Sequence, residues 1–198
     1  MSRTPNSRKE DTHERIVDAA ARAIRRHGYA GVGVADVMKD AGLTHGGFYA
    51  HFESRDALLV EALERAGRQS FESMRRAADR RVGQGQSELR AFVENYLAEG
   101  NLATLDTGCP VAALGSDMPR QSQAVREASA LRVRRLIASV RAVLPEATRT
   151  AASVVASTLV GSMQLARARG DNAEGRAVLS ATRKSILQQY DTPAPAAR

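Results

Sequence analysis

The chain has 198 residues, of which 26% are charged and 4% aromatic, and it carries a formal charge of +7. Its alanine-, arginine- and leucine-rich composition with only six prolines favours an all-α protein of one large or two small domains. No stretch approaches the roughly 18 apolar residues of a membrane span, the first residues lack the apolar segment of a secretory signal, and one cysteine cannot form an internal disulfide. We expect a cytoplasmic helical protein.

Apolar periodicity predicts about nine helices, taken here in chain order. A disordered arm over residues 1–10 precedes a first helix from Asp11 or Thr12 to His27, a second from Val34 to Ala41 and a very short third over residues 44–52. Further helices are predicted from Ser54 or Arg55 to about Arg81, from the capping residue Ser87, from Pro110, and over about 122–144, 146–169 and 173–190. A disordered tail over 191–198 is expected to follow.

The positive charge does not mark a functional site. Residues 101–198 hold 13 Lys and Arg against 7 Asp and Glu, whereas residues 1–60 hold 9 against 8. A basic protein is a candidate for binding a polyanion, but we interpret the excess arginines of the second half as solvated helix faces. Function has to be inferred from particular residues.

The second and third predicted helices have the spacing of a helix-turn-helix motif. Ala41, Gly42, Leu43 and Thr44 form a connection of the right length, with a glycine in it. We expect the Thr44 hydroxyl to cap the third helix, and Leu43 and Phe48 to form a hydrophobic staple across its start. These features predict a fixed angle between the two helices.

The third helix has an unusual face. At roughly 100° per residue, Phe48 and Phe52 share the core side, which leaves Gly46, Gly47 and Ala50 opposite them. Each glycine costs a helix roughly 1 kcal/mol relative to alanine. A helix that accepts this cost favours close approach to another molecule, and a recognition helix in a DNA major groove is a good candidate.

The predicted DNA contacts lie on and around this face. Thr44 and His45 can reach base edges or phosphates, while Tyr49, His51 and Arg55 can reach phosphates. Arg3, Arg8 and Lys9 are candidates for a flexible arm on the DNA backbone or in the minor groove. The complete set of predicted DNA-binding residues is Thr44, His45, Gly46, Gly47, Tyr49, His51 and Arg55.

The segment from Gly42 to Leu58 resembles the TetR/AcrR family of bacterial transcriptional regulators. The resemblance rests on Ala41, Gly42, Thr44, Gly46, Tyr49, His51, Phe52, Arg55 and Leu58. It implies a DNA-binding domain over residues 11–55 and a helical ligand-binding and dimerisation domain over residues 56–190. It also implies a homodimer that binds a palindromic double-stranded operator, most often as a repressor released by a small-molecule effector. No catalytic residue, cofactor or metal is expected.

The implied dimer and effector sites can be assigned to residues. The penultimate helix carries a stripe of small and apolar residues: Ala152, Val155, Ala156, Leu159, Met163 and Ala166. This stripe can form a four-helix dimer interface or an ordinary core. The last helix would contribute Val178, Leu179, Ile186 and Leu187. Candidate effector-pocket residues, each equally compatible with a plain core position, are Phe92, Tyr96, Leu102, Leu105, Leu114, Met118 and Met163.

Cys109 offers an alternative switch. If Pro110 opens a helix, Cys109 stands at its N-cap, where the helix dipole favours a thiolate that oxidants or electrophiles could modify. A small buried core residue is the simpler interpretation. A non-specific architectural DNA-binding protein and a helical thiol enzyme are further alternatives, although all four histidines lie within the first 51 residues and none is an evident base for Cys109.

Overall fold

The computed structural model describes the backbone of residues 5–191 and the side chains from residue 9 onward. This part of the chain contains eight α-helices and four short 3₁₀ segments and no β-strand, so the all-α prediction is confirmed. The α-helices are α1 (Pro5–His27), α2 (Val34–Asp40), α3 (Arg55–Val82), α4 (Glu88–Tyr96), α5 (Pro110–Leu114), α6 (Gln123–Val143), α7 (Ala152–Arg169) and α8 (Ala173–Tyr190). The 3₁₀ segments are His45–Ala50, Glu99–Asn101, Met118–Arg120 and Glu146–Ala151.

The prediction of a disordered arm was wrong for residues 5–10, because α1 begins at Pro5. Proline suits a first helical position, since its fixed φ fits the helix and its missing N–H would have no partner there. No glycine or proline interrupts the polar residues that follow, so the helix continues through them. Arg8 and Lys9 therefore belong to α1, while Arg3 and the predicted tail beyond Asp191 lie outside the described residues.

The chain forms two compact units. The first comprises the residues up to Ser70 together with Leu105–Arg132, and the second comprises Phe71–Thr104 and the residues from Val133 onward. Both α3 and α6 run from one unit into the other. The division at residue 55 that the sequence suggests concerns function, and it stays a prediction.

The first unit is built on α1, α2, the 45–50 helix and the first half of α3. The predicted stripe of α1 is fully buried at Ile16, Ala20 and Ile24, and Gly28 follows the helix in the left-handed region with a φ of 71°. Glycine suits this position because it carries no Cβ to strain the backbone. The N-terminal half of α3 contributes Leu58, Leu59, Ala62, Leu63 and Ala66 to the same core.

The second unit contains the antiparallel neighbours α7 and α8, which pack against each other. The stripe from Ala152 to Ala166 is buried within this single chain, which favours the core interpretation over the dimer interface. Val154 and Leu165, on another face of α7, are 60% and 63% exposed. The predicted helix over 146–169 is also divided, because a 3₁₀ segment over Glu146–Ala151 precedes α7.

No helix within residues 5–191 combines the length and the apolar character needed to cross a membrane.

Candidate nucleic-acid interface

The turn after α2 is closed by backbone hydrogen bonds. The amide of Gly42 donates to the Lys39 carbonyl at 2.9 Å, and the amide of Leu43 donates to the Met38 carbonyl at 2.8 Å. Gly42 has a φ of 69°, a value that side chains with a Cβ rarely adopt. The direction in which the chain leaves α2 is therefore fixed by the glycine that the motif requires.

The third helix of the motif is a 3₁₀ helix over His45–Ala50, which we call the 45–50 helix. Thr44 stands at its N-cap in an extended conformation, but its hydroxyl makes no capping hydrogen bond, so that part of the prediction was wrong. The Thr44 carbonyl accepts from the Gly47 amide at 3.1 Å instead. Such i to i+3 bonds wind the backbone more tightly than an α-helix and are found in short pieces.

Two phenylalanines orient the 45–50 helix. Phe48 is 2% exposed and Phe52 is 3% exposed, which confirms that both face the core. Their rings are nearly parallel, with centroids 5.5 Å apart and an interplanar angle of 22°. With this side of the helix held inside the first unit, the residues opposite are turned outward.

The outward side has a bare backbone at Gly46. A Cβ placed on Gly46 would meet no heavy atom within 4 Å, and one on Gly47 would meet only the Cε of Met38 at an ordinary 3.6 Å. Neither glycine has a positive φ. Backbone conformation and packing inside the chain therefore leave both positions open to a larger residue, and Thr44, His45 and Ala50 beside them are also exposed.

Tyr49 and His51 lie at the rim of this surface. Tyr49 is 74% exposed, and its ring is nearly perpendicular to that of Phe48, at a centroid distance of 5.2 Å. His51 is half-buried, and its Nδ1 finds no hydrogen-bond partner among the described residues. Burial lowers the pKa of His51 below its ordinary value, and the charges of His13 and Lys9 lower it further. A neutral His51 can donate one hydrogen bond from Nε2.

Arg55 is engaged within the first unit. Its Nε donates to the Val32 carbonyl at 3.0 Å, and its Nη2 donates to the Tyr29 carbonyl. The guanidinium thus ties the start of α3 to the connection between α1 and α2. The sequence could not show that these carbonyls lie nearby, and the phosphate contact of Arg55 stays a prediction.

Sequence reasoning missed a polar seam between α1 and α3. Glu61 pairs with His13, Arg65 pairs with Glu14 and Asp18, and Gln69 bonds to Asp18 and Arg25. The signal was available, because polar residues at positions 61, 65 and 69 recur every four residues and so lie on one side of α3.

The predicted effector residues are mostly buried. In the second unit, the rings of Phe92 and Tyr96 are nearly parallel at 6.2 Å, and Leu102 and Met163 are buried. In the first unit, Leu114 and Met118 are buried, while Leu105 is 39% exposed. A groove of about 520 Å³ in the second unit has a different lining, made of Arg81, Glu94, Ala98, Glu99, Arg183 and Leu187.

Cys109 is half-buried at the N-cap of α5, as its place before Pro110 predicts. The buried guanidinium of Arg25 lies within electrostatic range of it and of Asp106. Burial lowers the pKa of Arg25 to about 10, although the charges of Asp106 and Asp18 oppose this change. Within residues 9–191, no group of three His, Cys, Asp or Glu side chains is placed to hold a metal ion.

A short helix held by its core side behind a closed turn, with exposed backbone opposite, is the arrangement of a helix-turn-helix motif. Residues 16–62 match the sequence model of the family described as "Bacterial regulatory proteins, tetR family". The chain is 29% identical over 172 residues to the HTH-type transcriptional regulator Rv0196 of Mycobacterium tuberculosis, which covers 80% of this chain and 85% of that protein. It is 27% identical over 123 residues to the regulator LmrA of Bacillus subtilis, covering 60% and 63%.

Solved structures agree on the fold. A TetR-family transcriptional regulator from Agrobacterium tumefaciens superposes with a TM-score of 0.73 at 22% identity, covering 92% of this chain and 98% of that one. The reduced form of NemR from E. coli superposes with a TM-score of 0.72 at 19% identity, covering 93% and 100%. The chain is thus similar to helix-turn-helix transcriptional regulators of the TetR/AcrR family, in sequence over its DNA-binding motif and in fold over most of its length.

Proposed function

We propose that this regulator is a cytoplasmic, dimeric repressor that reads a palindromic operator with the 45–50 helix and is released by a small-molecule effector. The observation that carries the DNA-binding part is the exposed backbone of Gly46, for which the chain itself gives no reason. A backbone without side chains can approach the floor of a major groove closely, as a recognition helix must.

The DNA contacts follow from exposure. Gly46, Gly47 and Ala50 form the surface of closest approach, and exposed Thr44 and His45 reach base edges or phosphates. Tyr49 and His51 donate hydrogen bonds to phosphates. Residues 44–51 include no lysine or arginine, so each motif neutralises few phosphates and the salt dependence of binding is expected to be modest.

We assign the dimer interface to the exposed face of α7 and not to the buried stripe. Val154, Thr158, Gly161 and Leu165 recur at spacings of four, three and four, which places them on one side of the helix. A Cβ at Gly161 would meet nothing within 4 Å in this chain. This uncharged, partly apolar face suits a second copy of the chain packing helix against helix across a two-fold axis.

The interface assignment can be tested by charge. Leu165→Glu places an uncompensated carboxylate in the proposed interface and is expected to convert the protein to monomers in sedimentation velocity. The matched control is Ala130→Glu, which changes an exposed position of α6 and should leave the dimer intact. A dimeric Leu165→Glu variant would move the interface elsewhere.

Effector release needs a change in the separation of the two motifs. Paired recognition helices read half-sites about 34–36 Å apart, and α3 runs through both compact units of the chain. An effector that shifts α3 would alter that separation. To turn a nearly full operator into a nearly empty one, it must favour the released form by roughly 5.5 kcal/mol.

A second candidate is release by oxidation or alkylation of Cys109. It is favoured by the partial exposure of this residue and by the buried cation of Arg25 within electrostatic range. If it is correct, hydrogen peroxide or an electrophile releases the wild-type protein from DNA, and Cys109→Ser binds DNA normally without being released. Equal release of both proteins would eliminate it.

The main proposal is tested with DNA from the region upstream of the protein's own gene. Fluorescence anisotropy with a scrambled competitor, at two salt concentrations, is expected to show competitor-resistant binding with an even number of protomers per site. Equal affinity for both sequences would instead indicate an architectural protein without sequence preference.

A further inference from the structure

His13 of α1 lies where α1, α3 and the end of the 45–50 helix meet. Its ring is stacked on Phe52, with centroids 4.6 Å apart and an interplanar angle of 22°. Its Nε2 lies 2.7 Å from the Oε2 of Glu61 on α3. The His13 side chain thus contacts both Phe52, which packs behind the 45–50 helix, and the long helix α3.

The stacking continues into the 45–50 helix. Phe52 is nearly parallel to Phe48, which belongs to that helix and is almost fully buried. The rings of His13, Phe52 and Phe48 therefore form a continuous stack from α1 to the 45–50 helix. Glu61 fixes the His13 end of this stack, because a short hydrogen bond to a carboxylate fixes the plane of the imidazole.

We propose that His13 is a positioning residue for DNA binding: held by Glu61, its ring supports Phe52 and so sets the orientation of the 45–50 helix. The inference rests on the proposed role of that helix at the operator. The side chain of His13 is 28% exposed and that of Glu61 is 45% exposed. A contact so near the surface contributes little to core packing, so its loss is expected to affect orientation more than stability.

His51 gives this arrangement a second link to the DNA surface. Its ring lies 6.0 Å from that of His13, and its Nδ1 is buried without a partner among the described residues. The ring of His51 is therefore held by packing against neighbours and not by a hydrogen bond of its own at Nδ1. Moving the His13 ring changes the packing that aims the His51 Nε2.

The test is a set of substitutions that separate the ring from its hydrogen bond. His13→Ala removes both, and we expect about a tenfold loss of specific operator affinity, the size of one aromatic contact plus one hydrogen bond. His13→Phe keeps the ring, and Glu61→Ala keeps the histidine; each is expected to lose about threefold. Glu61→Gln, which retains a hydrogen-bonding oxygen, should restore most of that loss.

Coupling between the two residues is the sharper expectation. The double variant His13→Phe with Glu61→Ala should bind the operator no more weakly than either single variant, because both remove the same bond. His27→Ala, a substitution of the same type at the exposed end of α1, serves as the matched control and should bind like the wild type. Affinity for scrambled DNA should stay unchanged throughout, and the melting temperature should fall by no more than about 2–4 °C.

A second measurement needs no DNA. In amide NMR spectra of the free protein, the signals of Gly46 and Gly47 should shift in His13→Ala and return toward their wild-type positions in His13→Phe. Unshifted glycine signals, or additive losses in the double variant, would overturn the role of His13. If the wild type itself shows no preference for its upstream DNA, the proposed operator function fails, and the NMR comparison still decides whether His13 orients the helix.

Discussion

Two helical regions of this protein attract attention in the sequence for the same reason, an excess of small residues, and the structure separates them. In the 45–50 helix, the position of Gly46 is open, and nothing in the chain would meet its missing Cβ. In the α7–α8 pair, a Cβ on Gly175 would overlap the carbonyl oxygen of Gly170 and lie 2.8 Å from that of Ala166. Packing within the chain does not require a glycine at position 46, whereas it does require one at position 175.

The difference shows what small residues in a helix can mean. Small residues along α7 and at the start of α8 allow the two helices to approach closely, and the stripe from Ala152 to Ala166 is buried as a result. Small residues in the 45–50 helix lower helix propensity without any gain inside the chain. Gly100 is equally open, so openness alone does not identify a partner; at Gly46 it points to DNA because this glycine lies on the exposed side of the helix-turn-helix motif.

The largest effect on DNA binding is expected from Gly46→Val. The added side chain would clash with DNA and not with the protein, so we expect operator affinity to fall at least about a hundredfold with no loss of stability. Gly100→Val is the matched control, since Gly100 is also exposed, lies in a 3₁₀ segment and has nothing within 4 Å of its missing Cβ. Anisotropy titrations and thermal melts of both variants give the answer; wild-type affinity in Gly46→Val would remove the close-approach argument.

The opposite behaviour is expected at Gly175. Gly175→Ala forces α8 away from backbone atoms that cannot rotate aside, and overpacking of this kind costs about 1–3 kcal/mol. Urea denaturation should show a lower midpoint with an unchanged slope. Gly100→Ala, at an exposed glycine whose missing Cβ has nothing within 4 Å, is the comparison; a Gly175→Ala variant that is just as stable would contradict the proposed packing.

Rim contacts should have a smaller effect than the glycine. Tyr49→Phe removes only a hydroxyl, and His51→Ala removes a ring that donates one hydrogen bond, so each is expected to lower operator affinity about tenfold. Dimerisation and helical content should not change. Unchanged affinity in both variants at matched salt would mean that another element reads the DNA.

Arg55 distinguishes a positioning role from a contact. Arg55→Ala should lower the free energy of unfolding by about 1–2 kcal/mol, because two carbonyls of the connection after α1 lose their donor. The slope of log affinity against log salt should stay the same. A slope reduced by about one would instead indicate a lost phosphate contact.

The smallest expected effect is the pH dependence of stability that comes from His51. Burial holds the pKa of His51 below its ordinary 6.5 in the folded protein, so on acidification the unfolded chain takes up a proton first. Stability should therefore decrease as the pH falls through 6.5 toward the lower folded value, and it should not change through this group above 6.5. His51→Gln should flatten this part of the curve in pH-dependent melts; an unchanged curve would assign it to another group.

Local sequence signals predicted much of the fold. The end of α1 at Gly28, the Ser87 cap that accepts from the Arg90 amide at 3.0 Å, and the core side of Phe48 and Phe52 all follow from residue type and spacing. What the sequence could not show depends on tertiary neighbours. The stripe from Ala152 to Ala166 was compatible with a core or with a dimer interface, and only the contact with α8 decides between them.

The candidate site divides in the same way. The orientation of the 45–50 helix was predictable from helical periodicity, whereas its 3₁₀ geometry depends on how the turn at Gly42 and the two phenylalanines constrain a six-residue segment. Hydrogen bonds between distant residues were not predictable either. The spacing of residues along the sequence indicates neither the bonds of Arg55 to the connection after α1 nor the pairing of His13 with Glu61.

Site-specific photo-crosslinking tests most directly the claim that the 45–50 helix reads DNA. A photoreactive phenylalanine analogue is placed at Tyr49 or, as the matched control, at Phe71, an aromatic residue on α3 that is 55% exposed. We expect crosslinks from position 49 at defined nucleotides in both halves of the operator and none from position 71. Crosslinks from position 71 with none from position 49 would contradict it.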